Sequence, residues 1–144
     1  MSAVPIVTKS GPKTFIPDEA IVGGQLVEAR SGGKIGVAGA ASVKVLGAAL
    51  TDAQDPADVV TTPVNGVLLA AVTPTVVGVA YGGMEVPVTY SADAAFGDPL
   101  VATSLGRVAP AGATPDARTI VGKCTAPAGV VVATNPVGLA RITV

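Results

Sequence analysis

Apolar positions along this chain fall in short β-prone runs broken by glycine, proline or a polar cluster. Gln25 to Arg30 is one such run, Ser31-Gly32-Gly33 a turn, and Lys34 to Val37 a return strand, followed by a third run from Ser42 to Leu50. Glycine loops of this length between strand-like runs predict a hairpin. After the polar loop TDAQDPAD, the runs Val59–Thr62 and Val67–Val72 flank Asn65-Gly66, a pair suited to the positive φ of a tight turn. Val76–Tyr81 and Glu85–Tyr90 bracket Gly82-Gly83 and predict a further hairpin. No stretch sustains a 3.6-residue apolar period; only Ala113–Ala117 and the Asp52–Ala57 loop suit a helical turn. The predicted fold is all-β, a small β-barrel or β-sandwich-like domain over residues 18–144, preceded by an extended N-terminal arm over residues 1–17.

The same order of features occurs twice. Ala20, Gly23, Leu26, Val27 and Gly32 align with Ala94, Gly97, Leu100, Val101 and Gly106. After a one-residue gap Lys34 meets Arg107 and Ala38-Gly39-Ala40 meets Ala111-Gly112-Ala113; after a second, Lys44–Gly47 meets Thr119–Gly122. This predicts one strand–turn–strand–loop–strand unit used twice, over 20–52 and 94–126. A lone hairpin cannot bury a face, so two copies would complete each other's sheet.

The arm carries Pro5, Pro12 and Pro17, which favour extended backbone. It lacks a basic start and a sustained apolar stretch, so it does not read as a secretory signal. The uncharged stretch between Asp58 and Glu85 imitates a membrane span, but Asn65-Gly66, Pro74 and Gly82-Gly83 cut it into strand-length pieces.

Composition narrows the function. Apolar residues make up 49% of the 144 but aromatics only 3%, so the core is built from small and β-branched side chains. Charged residues are 13%, which leaves much neutral surface and points to burial in an assembly. The net charge is −1 and the nine basic residues form no run, so no nucleic-acid footprint is present.

Candidate chemistry is sparse. The chain has no histidine, the commonest general base and metal ligand. Its single cysteine, Cys124, reads as a small buried apolar residue. Asp52, Asp55 and Asp58 stand three apart, whereas a calcium loop places acids at alternate positions around a glycine. GKCT at Gly122–Thr125 imitates the end of a phosphate loop, but Ala117 holds the place of the first glycine and Cys124 that of the magnesium-binding hydroxyl. Asp93 and Asp98 are the acid pair to test for catalysis. The expectation is no catalytic residue, no cofactor, no metal and no enzyme.

VLGAALTDAQDPADV (Val45–Val59), VPVTYSADAAFGDPLVATSLGRVAPAG (Val86–Gly112), TIVGKCTAPAGV (Thr119–Val130) and GLARITV (Gly138–Val144) together resemble the head decoration, or cement, proteins of tailed bacteriophages of actinobacteria. The resemblance runs from about residue 18 to the end, and none of these motifs is catalytic. It implies a β-tulip-like domain on the outer capsid surface of the virion, a homotrimer, with the major capsid protein as partner and no contact with nucleic acid or membrane. It implies clamping of neighbouring coat subunits after head expansion. An arm that adds a strand to a coat edge would use Val4, Ile6, Val7, Phe15 and Ile16. Deletion of residues 2–16 would then remove binding without unfolding the domain. The alternatives are a tail-tube or head-fibre component and a carbohydrate- or surface-binding β module.

Overall fold

The computed structural model describes residues 11–59 and 73–144. Val4, Ile6 and Val7 of the arm, the Asn65-Gly66 turn and most of its flanking runs lie outside these residues. Among the described residues ten strands form two antiparallel sheets of five. The first holds β1 (Lys13–Phe15), β2 (Leu26–Ala29), β3 (Ile35–Val37), β4 (Val45–Ala49) and β5 (Val77–Ala80), in the order β1-β5-β4-β2-β3. The second holds β6 (Glu85–Thr89), β7 (Pro99–Ala102), β8 (Val108–Pro110), β9 (Ile120–Cys124) and β10 (Val137–Ile142), in the order β6-β10-β9-β7-β8. Among the described residues there is no α-helix; the two helical candidates of the sequence fall next to single 3-10 turns at Pro56–Asp58 and Ala117–Thr119. The fold is thus all-β and sandwich-like.

The two sheets share one wiring, since five consecutive strands are laid down in the same spatial order each time. Adding 73 to the residue number carries the first half onto the second from β1 to the end of β3. The parallel bridge Pro17–Ile35 becomes Tyr90–Val108, and each such bridge joins the two edges of its sheet and curls it toward a small barrel. The bulge in β2 between Val27 and Glu28 recurs in β7 between Leu100 and Val101. Gly24 at φ +87° becomes Gly97 at φ +91°.

These ladders set a register one residue away from the sequence alignment at the first glycines. Val27, not Leu26, is the counterpart of Leu100, because Val27 pairs with Gly47 as Leu100 pairs with Gly122. Strings of Gly, Ala and Val align equally well one position out, whereas a one-residue slip would turn every side chain to the other face. The hairpin expected around Gly82-Gly83 does not form. β5 pairs with β1 and β4 while β6 pairs with β10, so these glycines link the two halves. The arm also differs from its predicted extent, since Lys13–Phe15 forms an edge strand against β5. Pro12 and Pro17 bracket this strand without interrupting it, and its partner at Val77 is too far along the chain for local pattern to reveal.

Each sheet has an inner face packed with β-branched and small residues. In the first, Val27, Ile35, Ala49, Val77 and Val79 close over Ile21 and Ala53, with Phe15 partly buried against them. The second half repeats this with Val88, Leu100, Val108, Cys124 and Ala140. Burial of one such Val or Leu side chain is worth about 1.5–3 kcal/mol. The outer face of the first sheet supplies the joint between halves: Leu26, Ala48 and Ala80 are fully buried in the same cluster as the second half's core. Backbone bonds cross this joint from Thr89 to Gly24 (3.2 Å), from Gly106 to Ala38 (3.0 Å) and from Ala41 to Ala102 (2.9 Å). The approach is close enough that a Cβ at Gly106 would stand 2.6 Å from the Leu26 carbonyl. On the second sheet the counterparts of Leu26, Ala48 and Ala80 are Pro99, Lys123 and Arg141, all exposed. Lys123 and Arg141 thus place charge where the first sheet uses alanines to form the joint.

Candidate interaction surface

The acidic residues singled out in the sequence hold loops in place. Asp52 accepts the Gly23 N–H at 2.8 Å. Asp55 caps the 3-10 turn by accepting the Ala57 N–H at 3.0 Å, and it pairs with Lys34 at 3.3 Å. Those two contacts hold its carboxyl below the usual range, the Ala57 bond foremost. Asp98 accepts the Ala95 N–H and Asp93 the Val132 N–H, each at 2.8 Å. In the first half Gln25 does the work of Asp98, accepting the Val22 N–H at 2.8 Å. Among the described residues no cluster of His, Cys, Asp or Glu has the grouping of a metal site. Cys124 is buried, and its GKCT segment is the end of β9 and the residue after it. Tyr90 lies under β10 and donates its hydroxyl to the Leu139 carbonyl at 3.0 Å. Burial, and then the adjacent Cys124 thiol, push this phenol well above its usual range, so it serves as a neutral core group.

The loops held by Asp93 and Asp98 carry the most exposed aromatic side chain, Phe96, at 66%. Phe96 borders a shallow cleft of about 420 Å3 whose other wall is Pro127–Val131. A second cleft, of about 310 Å3, lies on the far side of the same loop, between Ala128 and Val137. Val131, Val137 and Leu139 are exposed beside it. Little in the residue pattern announces this surface. The available signal was a phenylalanine between Ala95 and Gly97, in a chain with only two Phe and two Tyr to spend.

Of the arm residues, Phe15 turns its ring inward under the Lys13 ammonium, 5.3 Å from the ring centre. Ile16 is 46% exposed, and its carbonyl accepts the Ile35 N–H at 3.0 Å. The structure therefore separates these two neighbours, one into the core and one onto the surface.

The sheet edges are treated unequally. On β3 the Val37 N–H is taken by Glu19 at 2.8 Å, and its carbonyl by Arg30 at 3.1 Å. Arg30 also pairs with Glu19 (3.4 Å) and Glu28 (3.1 Å), and over Gly36 a Cβ would meet Arg30, Glu19 and Asp18 at 2.5–2.8 Å. On β8 the counterpart of Val37 is Pro110, which has no N–H to offer. On β6 the outward position is Pro87, with the Gly24 loop against it.

Comparison with solved structures finds this fold in the N base of the head fibre protein gp8.5 of bacteriophage phi29, with a TM-score of 0.57 and 16% sequence identity. The likeness covers 94% of this chain and 95% of that one. No family model and no curated protein matches the chain.

Proposed function

We propose that this chain is a non-enzymatic structural part of a tailed-phage head, attached to the outside of the shell and binding coat subunits. The observation that carries this reading is the likeness to a head-fibre base over nearly the whole of both chains. The sequence resemblance to head decoration proteins points the same way. The exposed apolar clefts around Phe96 and the charged fraction of only 13% suit a protein that spends its life in contact with neighbours. Its partners are the major capsid protein and further copies of itself, three around each local threefold position. Each contact can be weak, because linked copies raise one another's effective concentration. Preference for the expanded shell stabilises that shell by mass action.

A second reading, the base of a head fibre, is favoured by the identity of the phi29 neighbour. Co-sedimentation of purified protein with expanded, decoration-free heads of its phage tests the first. Saturation at a fixed multiple of three per local threefold site supports a cement protein; no binding overturns it. Gold-labelled antibody on whole virions separates the two, giving an even coat over the shell for a cement protein and label at the foot of projecting fibres for a fibre base.

A further inference from the structure

We propose that the free edge of β1 receives an extended, apolar segment of the shell subunit as a sixth strand of the first sheet. The proposal rests on the shell-binding reading above.

Among the described residues β1 is an edge strand, paired with β5 on one side only. Two bonds fix which of its peptide groups face outward. The carbonyl of Gly78, the residue opposite Thr14, accepts the Leu50 N–H at 2.9 Å and so points to β4. Thr14 and Gly78 are therefore a non-bonded pair, and the N–H and carbonyl of Thr14 point away from the sheet. The Ile16 carbonyl, two residues on and hence on the same side, is bonded to Ile35 across the sheet opening. Thr14 itself is exposed.

The duplicated fold supplies the comparison. At the position of Thr14 the second half has Pro87, which lacks the donor and is covered by the Gly24 loop. At the other edge of each sheet the donor is capped by Glu19 or deleted by Pro110. Three of the four equivalent edge positions are thus closed to a further strand, by the devices that keep edges from pairing with other chains. Thr14 is left open. Beside it the outer face of the first sheet is apolar: Ile16 adjoins Val76 across the register, and Leu50 lies over Gly78, all three exposed. An incoming strand would bond to Thr14 through its backbone and lay an apolar side chain along Ile16 and Leu50.

The test uses the full chain and expanded, decoration-free heads. Thr14→Pro removes the outward donor, and Pro87 shows that this fold accepts proline at that place. Thr14→Val keeps the donor and changes only the side chain. Thr14→Pro should bind heads at least tenfold more weakly at an unchanged melting temperature, while Thr14→Val binds as wild type. Equal binding by Thr14→Pro overturns the proposal. Should that variant fail to fold, amide exchange at Thr14 of the wild-type protein decides: slowing on shell binding supports the added strand, and an unchanged rate overturns it. Loss of self-association by Thr14→Pro with full shell binding would assign the edge to a second copy and also overturn it. If the wild-type protein itself does not bind heads, the shell-binding reading falls first and this proposal with it.

Discussion

Pro110 stands in the second sheet where Val37 stands in the first, and the two close the same gap by different chemistry. Proline deletes the edge donor; Val37 keeps it and passes it to Glu19 at 2.8 Å. The Val37 solution depends on the side chain of another residue and the Pro110 solution does not. Glu19→Ala should therefore expose a ready-made pairing edge. A lost bond of this kind costs about 1 kcal/mol, so the melting temperature should fall by a few degrees. Light scattering on heating should show earlier association than in wild type. The matching residue in the second half is already Ala92, so only the first half has this weakness.

The joint between halves predicts a contrast between two glycines. Gly33 and Gly106 are counterparts, at φ +73° and +64°. Alanine at either meets the left-handed penalty of about 1–2 kcal/mol. At Gly33 nothing lies within 4 Å of the new Cβ, whereas at Gly106 it meets the Leu26 carbonyl and Gln25. Gly106→Ala should cost several times as much as Gly33→Ala in chemical denaturation, with the excess reporting separation of the halves.

Leu105 gives the opposite sign. It sits at φ +62°, where the first half uses Gly32, and its side chain is exposed. Leu105→Gly should stabilise the protein by about 0.5–1 kcal/mol through relief of that strain. The carbonyl that accepts the Gln25 amide at 3.1 Å is backbone and remains.

Acid should weaken the fold through Glu28 and Asp55. Burial opposes the Glu28 charge, but bonds from Ser42 and the Gly39 N–H, with Arg30 and Lys44 nearby, outweigh it and lower the pKa. The Ala57 N–H and Lys34 lower that of Asp55. A carboxyl depressed in the folded state contributes its full stability above the unfolded value of about 4, and loses it as pH falls through the folded value. Denaturation midpoints should therefore drop below about pH 4, and Glu28→Gln with Asp55→Asn should flatten that limb. Tyr90 acts in the other direction. Its raised pKa means stability is complete below about pH 10 and is lost above it. Tyr90→Phe should remove the alkaline limb while lowering stability at neutral pH through loss of the Leu139 bond.

The thiol of Cys124 should report unfolding. It is fully buried in β9 where the first half has Ala49. Labelling by a disulfide reagent should run at the global unfolding rate, and fast labelling of native protein would contradict the burial. Cys124→Ala should leave head binding unchanged.

Much of the fold was legible because the strands advertise themselves. The runs over 25–30 and 34–37 hold β2 and β3, and the order of Gly, base and Ala-Gly motifs exposed a duplication. What local pattern could not give was pairing between distant strands. Gly82-Gly83 has the form of a hairpin turn, and nothing nearby says that β6 finds its partner in β10. Lys13–Phe15 looked like arm because its partner is β5. The surface was less legible still, since exposure of Phe96 depends on how Asp93 and Asp98 hold their loops, and openness at Thr14 on which side of a strand a single N–H faces.

The strand order carries a consequence for synthesis of the chain. In each half the last strand made, β5 or β10, is the one that slots between the first and the fourth. Until it emerges from the ribosome, β1 or β6 lacks the strand it pairs with in its sheet, and the barrel stands open. Once β5 is out, the first half can shut on its own core, with Leu26, Ala38, Ala48 and Ala80 left uncovered and waiting for the second.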